Sequence, residues 1–184
     1  MNVSWAEAQA FCAWLTGHER KGGRIAPDLR YRLPTDHEWS CAADLGKLEN
    51  AALSPAQKAG KLDALPWGIA WPPPPGSGNY SGEEAAGHEQ WRNQTILAGY
   101  RDAFPTTAPV GSFPANALGL FDLSGNAWEW CEDLYERPEG TGDHHAMRGG
   151  SFFASHREDL LLSRRYGLPV VRDFDLGFRV VLSR

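Results

Sequence analysis

The side chains able to do covalent or redox chemistry are few. Cys12, Cys41 and Cys131 are spread through 184 residues. An odd count so widely spaced does not read as a disulfide framework. Without a CxxC pair the chain is not a zinc ribbon. Three buried free thiols are the expectation. The histidines are His18, His37, His88, His144, His145 and His156. None forms a His-x-x-x-His helical pair. His144 and His145 would point to opposite sides of an extended chain. They read as exposed loop histidines, not convergent iron ligands.

Recognition is the richer chemistry. Residues 152–176 join Arg148–Ser151 to Gly177–Leu182 and carry Phe153, Ala154, Ser155, His156, Arg164, Tyr166, Gly167, Leu168, Val170, Val171 and Phe174. Aromatics, arginines and small residues on a rigid frame suit a ligand-binding surface. Leu160, Leu161 and Leu162 read as core. The net charge is -5 and no basic stripe is present, so nucleic acid is not an expected partner. The expected partner is a protein or other macromolecular ligand. No apolar run is long enough to span a membrane. No signal peptide is visible. With free cysteines, that points to the cytoplasm, and display outside a cell would need a segment beyond these residues.

The length suits one domain, residues 1–184. With 8 Trp, 20 Gly and 13 Pro, a compact, loop-rich fold is expected. Ser4, with Glu7 three residues on, starts a helix through a capping box. Trp5, Ala8, Cys12 and Leu15 share one face, with Phe11 and Trp14 beside it, and Gly17 should break the pattern. Tyr31–Leu33 should be extended before Pro34. Thr35 and Glu38 cap a second helix ending near Gly46, with Trp39, Ala42 and Ala43 turned inward. Residues 47–115 show little periodicity, and a loop that long is usually held by something. Leu118–Phe121 should form a short strand, Asp122–Asn126 a turn, and Trp128–Trp130 a strand. Arg148–Phe152 should open another strand. A further strand is expected at Leu160–Arg165, and a last, buried one at Gly177–Leu182.

Several segments together resemble the sulfatase-modifying-factor family, which includes the formylglycine-generating enzymes. They are Val3-Ser4-Trp5 through Leu15, Tyr31-Arg32-Leu33-Pro34-Thr35 through Trp39, Gly119-Leu120-Phe121-Asp122 through Trp130, Arg148-Gly149-Gly150-Ser151-Phe152, and Gly177-Phe178-Arg179. They stand in family order along nearly the whole chain. The resemblance implies an α+β, C-type-lectin-like fold: two helices, short twisted antiparallel strands and much irregular loop. Such domains usually carry an N-terminal strand region ahead of the Val3-Ser4-Trp5 segment, which these residues do not include.

The resemblance also implies chemistry. In the enzymes, one active cysteine lies three residues after the serine of Arg-Gly-Gly-Ser and the other five further on. Those positions hold Ala154 and Asp159, and neither supplies a thiolate or a soft copper ligand. The family also binds calcium. Matched residue by residue, one site would use Asp122, the Gly125 and Ala127 carbonyls and Glu129. The other would use Asn79, the Tyr80 carbonyl, Asp102 and the Phe104 carbonyl. Hard oxygen ligands in irregular loops are what calcium takes. The alternative for the first set is that Asp122 and Asn126 cap a turn while Glu129 pairs with an arginine.

Non-catalytic members include the variable proteins of diversity-generating retroelements. Mutating the adenines of asparagine codons yields a residue set without Trp, Gln, Lys, Met or Glu, and within 152–176 only Glu158 lies outside it. The expectation is a non-catalytic ligand-binding domain on a calcium-stabilised scaffold. The alternatives are a metal-dependent oxidoreductase of the same family, or an accessory or sensor domain of a larger protein.

Overall fold

The computed structural model describes residues 1–136, 143–169 and 172–184. Helix α1 spans Trp5–Lys21, and its capping box joins Ser4 and Glu7. It does not stop at Gly17. That glycine is exposed, and its neighbours hold the last turn in place. Thr16 Oγ1 donates to Cys12 O at 2.8 Å and accepts from Tyr31 N at 2.8 Å, while Arg20 donates to Leu29 O. A glycine costs a helix only about 1 kcal/mol, less than such ties supply. Strand β1 is Arg30–Arg32. Helix α2 is Asp36–Ala42, capped by Thr35 and Glu38 as expected, and ends at Ala43 rather than near Gly46. A short α3, Pro55–Lys58, has its own Ser54–Gln57 capping box.

The later strands are β2 (Trp128–Glu136), β3 (His144–Arg148), β4 (Arg165–Pro169), β5 (Leu176–Gly177) and β6 (Val181–Ser183). Among the described residues they form a sheet ordered β4-β3-β2-β5 and a small β1-β6 pair. β2 and β5 are parallel; the other pairings are antiparallel. This mixed α+β architecture is of the C-type-lectin-like kind.

Four strand expectations need correction. Leu118–Phe121 is not a strand, because Asn116 Oδ1 accepts from the amides of both Leu118 and Leu120 and closes a turn. Arg148–Phe152 ends a strand rather than opening one. Gly149 and Gly150 take φ 95° and 71°, values that favour glycine and break the ladder. Leu160–Arg165 leaves a short 3-10 helix at Arg157–Leu160, and β4 begins only at Arg165. Gly177–Leu182 is divided between β5 and β6, with Leu182 exposed.

Two aromatic cores hold the sheet. Ala8 and Cys12 of α1 pack with Leu33, Trp128, Trp130, Met147 and Leu176. Trp39 of α2 and the helix C-cap Ala43 pack with Leu123, Cys131, Ala146 and Leu162. Both fully buried indoles, Trp39 and Trp130, find acceptors: Glu129 Oε2 at 2.8 Å and Val3 O at 2.9 Å. Truncating either would cost roughly 3–5 kcal/mol. Leu160–Leu162 are core, as expected. Cys12 and Cys131 are buried free thiols, but Cys41 is exposed, against expectation. It falls on the face of α2 turned from Trp39. No helix among the described residues is long and apolar enough to cross a membrane.

Candidate functional site

The Asp122–Asn126 turn leads into β2 and meets the Asn79–Tyr80 segment. Asn79 and Gly125 form a bridge of parallel sense. Asn126 N donates to Asn79 O at 2.9 Å, and Asn79 Nδ2 donates to Asn126 Oδ1 at 3.2 Å. Gly125 has φ 78°, and a Cβ there would stand 2.3 Å from Asn79 O, so the contact requires glycine. The two oxygen-rich sets are thus packed against each other.

They differ in charge balance. In the Asp122 set, Glu129 accepts from Arg179 through both oxygens, at 2.6 and 2.5 Å, and from the Trp39 indole at 2.8 Å. Arg179 also donates to the Phe121 and Asp122 carbonyls. Asp122 Oδ2 accepts from Gly111 N at 2.8 Å. A guanidinium therefore takes the place a cation would need. As arranged, this set does not fit calcium, and Glu129 pairs with an arginine.

The Asn79 set has no such cation. Asp102 accepts from Tyr80 N at 2.7 Å and Phe104 N at 2.9 Å. Glu84 Oε1 accepts from Asp102 N at 2.6 Å. Burial, and then the hydrogen-bonded carboxyl of Glu84, pushes Asp102 up to about 7. Asn79 Oδ1 and Glu84 Oε2 are buried without any hydrogen-bond partner. Two orphaned hard oxygens in the same loops as the Asp102 and Glu84 carboxyls are donor chemistry of the kind an oxygen-ligated cation takes. Among the described residues no three His, Cys, Asp or Glu side chains are placed to hold a metal, so such an ion would lean on amide and carbonyl oxygens. Glu84 was missed from the sequence because it looks like one more loop acid.

The second feature is a pocket of about 140 Å³ lined by Trp128, Ser151, Phe153, Ala154, Asp159, Tyr166 and Asp175. Gly150 lets the chain turn into it, since a Cβ there would lie 2.9 Å from Asp159 O. Ser151 Oγ donates to Asp175 Oδ2 at 2.5 Å, and Asp175 O accepts from Trp128 N at 2.9 Å. Burial raises the Asp175 carboxyl above its ordinary value. Asp159 Oδ1 accepts from the Tyr166 hydroxyl at 3.1 Å. Trp128 meets Tyr166 edge-on at 5.3 Å, and Phe153 meets Phe174 at 5.3 Å and Trp91 at 5.4 Å.

Of the residues expected in the binding surface, Phe153, Ala154 and Tyr166 meet at this pocket. Phe174 is exposed beside Phe153, and Arg164 lies over the Tyr166 ring. Ser155 is half-buried and His156 exposed next to it. Gly167 runs under Tyr135, whose ring would be 2.4 Å from a Cβ. Leu168 packs on the α1 core. Val170 and Val171 lie outside the described residues. Trp128, Ser151 and Asp175 were missed. The first two stand in motifs that read as scaffold, and Asp175 is brought in only by the β2–β5 pairing.

The sulfatase-modifying factor enzyme 1-like domain matches residues 1–184. An inactive C-alpha-formylglycine-generating enzyme 2 from Mus musculus is 31% identical over 190 residues, covering 100% of this chain and 48% of its own. The chain therefore spans about half the length of that relative. In structure it is similar to PvdO from Pseudomonas aeruginosa (TM-score 0.63, 22% identity, 97% of this chain and 59% of that one). It is also similar to Treponema denticola variable protein 1 (TM-score 0.56, 21% identity, 100% and 70%). Motif order, fold and profile agree, and this chain belongs to the sulfatase-modifying factor enzyme 1-like family.

Proposed function

We propose that this chain is a non-catalytic ligand-binding domain on a calcium-stabilised scaffold, with its binding surface drawn from residues 152–176, as in the variable proteins of diversity-generating retroelements. The observation that carries the reading is the pocket itself. The two positions at which the enzymes hold cysteines both line it, and here they present the Ala154 methyl and the Asp159 carboxylate. Thiolate nucleophilicity and soft-metal ligation are both lost by that exchange, in a pocket whose aromatic walls suit binding. The thiol on β2, Cys131, is fully buried, and burial raises it well above the ordinary thiol range. Exposed Phe174 and Tyr166 add apolar area at the rim, where aromatic side chains are the usual anchors of a protein partner. Calcium would be held by Asn79, Glu84 and Asp102 with the Tyr80 and Phe104 carbonyls. It would neutralise their charge and tie the loops at 79–84 and 102–104 together.

The test is DNA sequencing of the gene's 3′ end and its flanks across many isolates. A nearby near-copy of the segment for residues 152–176, differing at adenines and accompanied by a reverse transcriptase, is the expected result. An invariant segment without such a copy would remove the variable-protein reading and leave a fixed binding domain.

A further inference from the structure

We infer that the Asp159–Asp175 pocket takes an organic cation: the ammonium or guanidinium head of a lysine or arginine on the partner. The inference rests on the reading of residues 152–176 as a ligand surface and adds the chemical class of what enters it. The pocket presents three aromatic walls, Trp128, Phe153 and Tyr166, and two carboxylates, Asp159 and Asp175. Aromatic rings beside carboxylates are what a desolvated cation needs on entering a protein surface. None of the lining residues is cationic. An anion would face two like charges. A neutral apolar group would bury Asp175 without a counter-charge, because among the described residues Asp175 receives the Ser151 hydroxyl and forms no ion pair.

The protein already uses this chemistry on itself. The Arg164 guanidinium lies 4.0 Å over the Tyr166 ring, and its Nε is 3.5 Å from Asp159 Oδ1. Asp159 is therefore partly answered from within, which leaves Asp175 as the carboxylate for a visitor. Size narrows the class. About 140 Å³ is well below the roughly 300–1,000 Å³ of a pocket that engulfs a drug-sized ligand. It suits a side-chain head whose aliphatic stem runs out over Phe153 and Phe174, with the rest of the partner outside.

The test titrates the whole chain with Nα-acetyl-lysine methylamide, Nα-acetyl-arginine methylamide and the neutral Nε-acetylated lysine analogue, followed by NMR at the Trp128 indole and the Tyr166 ring. Saturable shifts with either cationic probe are expected, with the neutral analogue at least tenfold weaker. The tighter of the two cations identifies the head group. Asp175→Asn should weaken the cations at least tenfold. Asp159→Asn is the second variant should Asp175→Asn fail to fold, and should weaken them less because Arg164 already answers that carboxylate. Tyr166→Phe should retain binding and Tyr166→Leu should lose it. Equal binding of the neutral analogue at these rings would overturn the cation while leaving the surface reading intact. Absence of shifts with all three probes would overturn the cation assignment. The variable-surface reading is judged separately, and fails if sequencing finds residues 152–176 invariant.

Discussion

Two carboxylate-rich regions of this molecule, one fully buried at Asp36 and one half-buried at Glu84 and Asp102, are treated in opposite ways. Under α2, Asp36 meets Arg148 Nη1 at 2.6 Å and Arg165 Nε at 2.7 Å, and it also pairs with Lys58. Arg165 reaches on to Glu49 at 2.6 Å. The nearby Glu129 is closed by Arg179 in the same manner. In the Asn79 region, Glu84 and Asp102 face each other, two oxygens lack partners, and no arginine comes near enough to pair with either acid among the described residues. Removing a carboxylate from water is costly and must be repaid locally. In the first region the charges are answered by side chains of the fold, although Glu49 Oε1 also lacks a partner. The second is built as though the answer comes from solution.

The largest effect should come from opening the closed region. Arg165→Ala leaves Asp36 and Glu49 short of a counter-charge in the interior, and should destabilise the chain by about 3–5 kcal/mol in denaturant melts. If the loss were under 1 kcal/mol, Asp36 would have to be exchanging its charge with water, and the contrast would fail. Acid gives the next effect. Burial alone would raise the Asp36 carboxyl, but Arg148, Arg165 and Lys58 outweigh it and hold it down to about 2. A depressed carboxylate contributes stability above its unfolded value of about 4, and that stability is lost as pH falls through about 2. Roughly 2 kcal/mol should disappear across that window. Asp36→Asn should flatten the slope there, at its own cost in stability. The smallest effect has the opposite sign. In chelator, Glu84→Gln should stabilise the chain by about 1 kcal/mol, since it relieves one carboxyl of a like neighbour while keeping an acceptor for Asp102 N. Loss of stability from Glu84→Gln in chelator would break the comparison.

Much of the frame was legible because local rules and tertiary packing agree. Ser4–Glu7 and Thr35–Glu38 signal their helices through capping chemistry that needs no long-range partner. The Leu160–Leu162 core and the turn at Asp122–Asn126 follow from composition. The misses have two causes: long-range partners decide some, and local side-chain or backbone geometry decides others. Gly17 stays helical because Thr16 is tied to Tyr31. Leu118–Phe121 closes on Asn116 rather than on a strand. The Asp122 set looked like a cation site from its oxygens alone, and only the fold brings Arg179, 50 residues downstream of Glu129, onto it. The pocket was half legible: Phe153, Ala154 and Tyr166 stand in the segment singled out, whereas Trp128 and Asp175 arrive through the β2–β5 pairing.

The most direct test of the calcium-stabilised scaffold is a thermal melt of the chain in excess chelator and in calcium, run beside Asp102→Asn and Asp122→Asn. Free calcium at 100 times its dissociation constant should add about 2.7 kcal/mol, or a rise in midpoint of roughly 5–10 °C at this size. That rise should vanish in Asp102→Asn and persist in Asp122→Asn. Superimposable melts of the unaltered chain with calcium and with chelator would contradict the account.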